Sequence, residues 1–437
     1  MKKVLIITYY WPPSGGAGVQ RWLKFVKYLR DFCWEPIIYT PENPEVPVID
    51  SSLIQEIPSD ITILKTKVWE PYHFYKRFTG RKKDERIQTA FLTEKKKSGL
   101  TEKISVWIRG NLFIPDARKF WIKPSVHFLK KWMGRNKVDL IVSTGPPHSM
   151  HLIAHKLKEC FDIPWLADFR DPWTNIDFYK DLQLTHFADL KHRNLEKTVL
   201  QRADEISVIS EGMRKDFNKI VPRHYHVITN GFDDDDFNNL MDITGKEKFT
   251  LAHIGSLVKT RNPLNLWRVL GELVNENASF AKDLDINLTG KVDFSVKQSI
   301  EEAGLTPFAH IIDYVPHNEV ILTYNKASIL LLLINNTPNA PLILTGKFFE
   351  YMAAKKPIIC IGPVLGDAAN ILKETKTGVV YSFEETDALK KAILSIYHNF
   401  KSGKPEFVSS DIEKFSRKNL TKKLTELMDV MVIKTSE

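Results

Sequence analysis

The stretch VLIITYYWPPSGGAGVQRW, Val4 to Trp22, decides the fold class. Its apolar beginning predicts a buried strand, and the apolar residues that recur at helical spacing from Val19 predict a helix. Between them lie two prolines and one serine, followed by three glycines within four residues. Such a junction lets the backbone approach a phosphate or a sugar at a helix N-terminus. We therefore predict a ligand loop at Gly15 and Gly16, with a mere tight turn as the alternative.

A dinucleotide fingerprint is the competing interpretation of this loop. That motif requires G-x-G-x-x-G directly after the first strand and an acidic residue at the end of the second strand. Gly16 and Gly18 occupy the first two glycine positions, but the third position is Arg21. The second strand ends in IIYTP, and Glu42 comes only after the proline. The pattern therefore argues against a nicotinamide-dinucleotide site.

The rest of the chain repeats the alternation of apolar strands and amphipathic helices. Strands that alternate with helices of about 10–15 residues indicate parallel sheets with right-handed crossovers. Two such series of comparable length predict an α/β protein with two doubly wound, Rossmann-like domains. We place the boundaries at residues 1–232, 233–410 and 411–437, and the last segment is a helix capped by Ser410 or Asp411.

Composition restricts the class of protein further. The 437 residues are 43% apolar and 26% charged, which is typical of a globular protein with two domains. Three widely separated cysteines favour a reducing compartment. The N-terminal apolar stretch is too short for a signal peptide, and ASILLLLI, residues 327–334, is too short to cross a bilayer and predicts a buried strand. We expect a cytoplasmic protein, peripheral on the inner face of the plasma membrane if its basic segment docks there.

The basic segment covers residues 65–137. It contains 20 lysines and arginines against 6 acidic residues, so the rest of the chain is net acidic although the whole carries +9. Tryptophan, tyrosine and phenylalanine are interleaved with these charges, a composition that favours an anionic membrane surface over a merely solvated face. KISVWIRGNLF and PSVHFLKKWM are the candidate in-plane helices. No RNA-binding motif accompanies the segment, so we expect no nucleic-acid partner.

The most specific pattern is LTGKFFEYMAAKKPIICIG, Leu344 to Gly362, in which glycine and lysine precede a short helix with one internal glutamate. Together with NGFDDDDF, HIGSLVKTRNPLNL and the glycine loop, it resembles the retaining glycosyltransferases of family four, collinearly from Lys3 to Leu427. VDLIVSTGPPHSMHLIAHKL and IPWLADFRDPW are similar to members that build bacterial cell-surface polysaccharides. The resemblance implies the GT-B fold, with two domains facing a cleft and a C-terminal helix that crosses back to the first domain.

The resemblance also implies a donor site in the second domain. Glu350 matches a glutamate that holds the ribose hydroxyls of a UDP- or GDP-sugar. Lys259 and Arg261 match the basic residues that bind the diphosphate, and Arg261 also stabilises the leaving group. Further donor contacts fall on Gly255, Gly346 and Lys347.

Two departures from the family pattern concern this donor site. The first glutamate of the family's E-x7-E motif is replaced by Leu342, which leaves the identity of the transferred sugar open. Where the family usually has a Gly-Arg pair, this chain has Gly255 and Ser256, so diphosphate binding is left to Lys259 and Arg261.

For the first domain, the resemblance implies that Gly15 and Gly16 face the donor phosphates and the acceptor. His148 matches a position that contacts sugar or acceptor, with a helix-terminal histidine without chemistry as the alternative. Asp171, after a strand that ends in ADFRD, is a candidate to orient the acceptor hydroxyl, and an Asp–Arg pair that braces the loop is the alternative. The acceptor would be a glycan or a polyprenyl-diphosphate-linked sugar.

The run DDDD, Asp233 to Asp236, could suggest a metal site. It follows Asn and Gly, which suit a turn, and acidic residues suit the start of a helix. We therefore predict no metal at this run, and the resemblance implies a metal-independent transferase. The alternatives are a sugar-nucleotide epimerase of the same fold and a catalytically inactive protein that binds membranes or glycans, which the loss of the first glutamate at Leu342 keeps open.

Overall fold

The computed structural model describes residues 1–46, 48–70, 100–237, 248–312, 315, 317–403 and 409–436. Two units emerge from the contacts within the chain. The N-terminal unit comprises the described residues of Met1–Thr89, Lys97–Thr229 and Arg417–Glu437, and the C-terminal unit comprises those of Asn230–Ser416. These divisions fall a few residues from the boundaries that the sequence analysis places at 232 and 411.

The N-terminal unit contains a seven-stranded, fully parallel sheet with strand order β3-β2-β1-β4-β5-β6-β7. Its central strands are continuous apolar runs, as expected for strands whose two faces are both covered by helices. In register, Ile6 lies opposite Ile38 on one side and Val142 on the other. The strands are β1 Lys2–Ile7, β2 Trp34–Pro41, β3 Thr62–Thr66, β4 Leu140–Gly145, β5 Trp165–Phe169, β6 Glu205–Val208 and β7 His226–Val227.

Helices cover the two faces of this sheet and bury separate apolar clusters. One cluster contains Trp121, Trp165 and Phe169, and the other contains Trp22, Phe25 and Trp34. The helices are α1 Ala17–Leu29, α2 Leu100–Leu112, α3 Lys119–Met133, α4 Ser149–Lys158, α5 His186–Arg202 and α6 Glu211–Ile220.

The C-terminal unit contains a six-stranded parallel sheet with strand order β10-β9-β8-β11-β12-β13. Strand β11 is buried along its whole length, which confirms the buried strand predicted from ASILLLLI. The strands are β8 Phe249–Ile254, β9 Leu284–Thr289, β10 Ala309–Ile312, β11 Ile329–Leu333, β12 Ile358–Ile361 and β13 Gly378–Tyr381. The helices are α7 Asp234–Phe237, α8 Leu264–Glu276, α9 Ala278–Asp283, α10 Phe294–Glu302, α11 His317–Lys326, α12 Gly346–Ala353, α13 Asp367–Thr375 and α14 Asp387–Ser402.

The last helix, α15 Arg417–Ser436, packs against α1 in the N-terminal unit. Asp429 accepts hydrogen bonds from Lys2 Nζ at 2.8 Å and from Trp34 Nε1 at 2.9 Å, which fixes its C-terminal half. The predicted cap at Ser410 or Asp411 is wrong. Asp411 has φ +55°, in the left-handed region, and a short 3-10 turn at Glu413–Phe415 separates it from the helix.

Helix α3 differs from the expectation of an in-plane membrane helix. Its Trp121 is buried and stacks on Tyr39 with ring centroids 4.9 Å apart, and Leu129 and Met133 are also in the core. The apolar side of α3 is therefore committed to the sheet. Five aromatic residues of the basic segment lie outside the described residues: Tyr72, Phe74, Tyr75, Phe78 and Phe91. In the described parts of the chain, none of the helices has the length and apolar character needed to span a bilayer.

Candidate functional site

In the C-terminal unit, the predicted donor residues lie where β8 ends. Gly255 follows the strand with φ +116°, and its N–H donates to Thr289 O at 2.7 Å. Lys347 Nζ donates to Ile254 O at 2.6 Å and would lie 2.7 Å from a Cβ added at Gly255. The left-handed φ at residue 255 therefore favours glycine, and Lys347 occupies the space beside it.

Helix α12 presents Lys347 and Glu350 one turn apart. Thr345 precedes the helix at its N-cap, and its hydroxyl Oγ1 is buried without a hydrogen-bond partner among the described residues. Gly346 opens the helix, and no atom lies within 4 Å of a Cβ built there. This helix N-terminus offers amide groups and a partial positive charge beside the Lys347 ammonium.

Arg261 brings a second cation to the same place. Its Nε donates to Asn335 Oδ1, and its Nη1 donates to Ser256 O at 3.3 Å. Burial, and then the positive charge of Arg261, lower the pKa of Lys347 to about 7, although Glu350 acts in the opposite direction. The positive charge of Arg261 therefore acts on the Lys347 ammonium, and an anion bound beside both groups would favour the charged form of Lys347.

Glu350 is positioned by a tyrosine that the sequence analysis missed. Tyr324 is buried on α11 and donates from its hydroxyl to Glu350 Oε2 at 2.5 Å. Tyr351 packs edge-on against Tyr324 and accepts the N–H of Ile254 at 3.1 Å. The two tyrosines connect α11, α12 and the end of β8, so they fix where the Glu350 carboxylate lies. The pair Tyr324–Glu350 is separated by 26 residues and leaves no local signal in the sequence.

Lys259 lies in the same 3-10 turn as Arg261, Lys259–Arg261, but its side chain is exposed. No hydrogen bond or ion pair places its ammonium among the described residues of this cluster. The structure thus brings Gly255, Arg261, Lys347 and Glu350 together more closely than Lys259.

In the N-terminal unit, the glycine loop is pinned to the segment that follows β2. Gly15 N–H donates to Val48 O at 3.0 Å, and Asp50 N–H donates to Pro13 O at 2.8 Å. The Gly15 amide is therefore occupied within the protein. Gly16 has φ +89° with no atom within 4 Å of its missing Cβ, and α1 begins at the next residue without a side-chain cap. Open space above an uncapped helix N-terminus is the part of this loop that suits a ligand.

His148 precedes α4 and lies flat on Trp173, with ring centroids 4.3 Å apart and an interplanar angle of 2°. Trp173 Nε1 donates to His192 Nδ1 at 3.1 Å. Burial, followed by the charges of His151, His192 and Arg170, holds the pKa of His148 well below its usual value. A neutral imidazole can donate one hydrogen bond and accept another, and its Nδ1 has no protein partner among the described residues. Trp173 and His192 were not predicted from sequence.

Strand β5 carries the buried carboxylate of Asp168. Asp168 pairs with Arg21 of α1 at 2.8 Å and accepts further hydrogen bonds from Trp22, Thr144 and Ser207. Burial raises the pKa of Asp168, but the charge of Arg21 and these hydrogen bonds outweigh it and hold the pKa at about 2. Asp168 is therefore a permanently ionised structural group.

Arg170 and Asp171 continue the same segment. Arg170 donates to the carbonyls of Gly18 and Pro146, so it connects the glycine loop to the loop after β4 and does not pair with Asp168. Asp171 is solvent-accessible, yet partial desolvation by the surrounding protein raises its pKa to about 6, with Arg170 opposing the shift. An exposed carboxylate at the end of this strand can accept a hydrogen bond from a hydroxyl.

Residues 237–404 match the family model of the glycosyl transferases group 1, a range that includes all of the C-terminal cluster. Solved structures also resemble the chain over its whole length. One is a glycosyltransferase from Rickettsia africae, with 14% identity over 99% of this chain and 98% of that chain and a TM-score of 0.60. Another is S. aureus TarM in complex with Fondaparinux, α-GlcNAc-glycerol and UDP, with 12% identity over 99% of this chain and 100% of that chain and a TM-score of 0.59. No curated protein matched the chain by sequence.

A third similar structure is WaaG, a glycosyltransferase involved in lipopolysaccharide biosynthesis (11% identity, 97% and 99% of the two chains, TM-score 0.55). At such identities these likenesses establish the fold. The chain has the GT-B architecture of two parallel-sheet α/β domains. Among the described residues, no group of three or more His, Cys, Asp or Glu side chains could hold a metal ion.

Proposed function

We propose that this protein is a retaining glycosyltransferase that moves a sugar from a UDP- or GDP-sugar to a glycan or a polyprenyl-diphosphate-linked acceptor in bacterial surface polysaccharide biosynthesis. The observation that carries the proposal is the pair of neighbouring cations, Lys347 and Arg261, beside the N-terminus of α12 and within the segment that matches the glycosyl transferases group 1. A nucleoside diphosphate is an anion of the right charge for such a site.

The donor diphosphate lies between Arg261, Lys347 and the amides near Gly346 and Gly255, with Lys259 adding charge from solvent. Glu350, held by Tyr324, accepts hydrogen bonds from the ribose hydroxyls. The bond between the sugar C1 and the diphosphate oxygen breaks, and its electron pair leaves with the diphosphate, which the cations stabilise without a metal. The acceptor hydroxyl attacks C1 from the same face, and its proton passes to the departing phosphate oxygen. The configuration at C1 is thereby retained without a protein nucleophile.

The N-terminal unit contributes the acceptor side of this proposal. His148 stays neutral on Trp173 and hydrogen-bonds a hydroxyl of the sugar or the acceptor. Asp171 orients the attacking hydroxyl, and the open backbone at Gly16 faces a phosphate. Support comes from the similar TarM structure, which contains UDP and a GlcNAc-glycerol.

Incubation with UDP-, GDP- and dTDP-sugars together with a membrane extract tests the reaction. Transfer of the sugar to a lipid or glycan, with an unchanged anomeric configuration, is the expected outcome. Epimerisation of the free donor would instead show a sugar-nucleotide epimerase. A chain that binds none of the nucleotides would be an inactive binding protein, and both outcomes would overturn the proposal.

Glu350→Gln should weaken binding of UDP or GDP, whichever the wild-type chain binds, by about 5–30-fold. The glutamine amide oxygen still accepts the hydrogen bond from the Tyr324 hydroxyl, but the ribose hydroxyls lose a charged acceptor. Hydrogen bonds to a charged acceptor are stronger than those to a neutral one by about 1–2 kcal/mol, which corresponds to this loss of affinity. Calorimetry measures the change, and Glu302→Gln on α10 is the exposed control. Equal affinities of the two variants would remove Glu350 from the ribose site.

The affinity for the nucleoside diphosphate should fall as the pH rises from 7.5 to 9, by up to about tenfold per unit. Lys347 has a pKa of about 7 in the free protein, so it must take up a proton before it can pair with the anion. Calorimetry in buffers of different ionisation enthalpy should detect this proton uptake at pH 8. In Lys347→Arg the side chain stays charged, and the dependence on pH should flatten; a wild-type affinity constant across this range would contradict the assignment.

A further inference from the structure

Exposed apolar side chains in the segment after β3 and on α2, α3 and α5 of the N-terminal unit lie together with lysines. We define the aromatic–basic patch by Trp69, Leu112, Lys119, Phe120, Phe187 and Lys191. Phe187 is 76% exposed, and Leu112 and Trp69 are each 54% exposed. Large apolar side chains exposed together, and not singly, indicate an interaction surface.

Specific contacts make the patch continuous. The Trp69 and Phe120 rings meet edge to face at 4.8 Å, and Lys119 Nζ lies 5.0 Å from the centroid of Phe120. Lys119 Nζ also donates to Leu112 O at 2.5 Å, which ties the end of α2 to the start of α3.

The start of α5 is fixed beside the end of α2. Asn111 Oδ1 accepts the N–H of Thr185 at 2.7 Å, and Asn111 Nδ2 donates to Gln183 O at 3.2 Å. Phe187 and Lys191 lie one turn apart on α5, on the same side of the helix. These two residues belong to a surface that the sequence analysis did not include, since it assigned the membrane contact to residues 65–137 alone.

The charge of the patch is positive and is not cancelled by the acids nearby. Burial, and then the charge of Lys191, lower the pKa of Lys119, so the positive charge of Lys191 acts on the Lys119 ammonium. Asp189, the acid on the same turn of α5, is held by Arg193 and Tyr179, each at 2.9 Å. Asp116 accepts the backbone N–H and the hydroxyl of Ser149 at the start of α4, both at 2.8 Å.

We propose that the aromatic–basic patch docks the protein on an anionic lipid bilayer, with the apolar tips in the headgroup region and the lysines on lipid phosphates. Charge complementarity selects this occupant. Lys119, which lies over the Phe120 ring, keeps its ammonium group beside the apolar tips, as at a membrane interface. The proposal is independent of the donor site, and nucleotide binding therefore provides a separate control.

Sedimentation of the full chain with vesicles tests the docking. Vesicles of phosphatidylcholine with about 30% phosphatidylglycerol should sediment the protein at low salt and release it at high salt, because salt screens the attraction. Lys119→Gln/Lys191→Gln should weaken the binding about 30-fold, as expected if each cation contributes about 1 kcal/mol. Lys130→Gln/Lys131→Gln, at the far end of α3, is the control with the same loss of charge and should change the binding less than about 3-fold.

Phe187→Ser should also weaken vesicle binding, while binding of UDP or GDP stays at the wild-type level in every variant. Equal loss in the two lysine double variants would mean that only the net charge matters, and it would overturn the assigned patch. The proposal would be overturned if the protein sedimented only with neutral vesicles, or with neither neutral nor anionic vesicles. A change in oligomeric mass of the patch variants without vesicles would identify the surface as a contact between copies of the chain and would equally overturn it.

Discussion

Arg21→Met should lower the free energy of unfolding of the N-terminal unit by about 3–5 kcal/mol, because it leaves the buried carboxylate of Asp168 without its cation. Arg21 also donates to Ile228 O and Thr229 O, both at 2.8 Å, so the substitution disconnects α1 from the segment after β7 as well. Denaturant unfolding followed by tryptophan fluorescence measures the loss, since Trp22 and Trp165 lie in this unit.

The control is Arg193→Met, which removes the exposed ion pair with Asp189 on α5. Exposed pairs contribute about 0–1 kcal/mol, so this variant should unfold nearly like the wild type. The wild-type pair should also resist acid. Asp168 has its pKa lowered to about 2, so its contribution is complete above about 3.8 and is lost as the pH falls toward 2. A similar stability of the two variants would show that the buried pair contributes nothing beyond its exposed counterpart.

Arg261→Met should weaken the binding of UDP or GDP by about 10–150-fold, and it should slow sugar transfer at least as much. Hydrogen bonds to charged groups contribute about 1.5–3 kcal/mol each, and the guanidinium would also lose its stabilisation of the leaving diphosphate. Arg261 is oriented by Asn335 and by Ser256 O, so a flexible lysine would not reproduce its geometry. Calorimetry gives the affinity, and single-turnover kinetics give the rate of transfer.

Arg268→Met on α8 removes the same charge from an exposed position of the same unit. It should leave both the nucleotide affinity and the rate of transfer unchanged within about 2-fold, as expected for an exposed side chain outside the proposed donor site. The pKa of Lys347 should rise in Arg261→Met, because the neighbouring positive charge is gone. If nucleotide affinity survives in Arg261→Met, the diphosphate binds elsewhere and the proposed function fails with it.

Much of the fold follows from local pattern. The runs VLIIT and ILLLL are long enough and apolar enough to be strands covered on both faces, and their alternation with helices restricts them to parallel sheets. The shared face of Lys347 and Glu350 also follows from their spacing, since residues three apart on a helix are neighbours. These features depend on residues close in the chain, and periodicity reports such residues directly.

Arg21 shows where local pattern fails. Its position between the apolar residues of α1 suggests the solvated side of an amphipathic helix, as does that of Lys24. Both side chains are buried, because Asp168 and Glu56 supply carboxylates at 2.8 and 2.7 Å. A charge with a partner 147 residues away has the same local sequence as a charge in water.

The sequence by itself determined the two parallel α/β units, the glycine turn before α1 and the placement of Lys347 and Glu350 on one helix, since these depend on backbone preference and helical spacing. The tertiary structure alone decided that Tyr324 holds Glu350, that Trp173 lies under His148 and that Asn111 fixes the start of α5 beside the end of α2. Such contacts join strands and helices distant in the chain. They form only when packing brings those elements together, and burial then sets which charges pair and which pKa values shift.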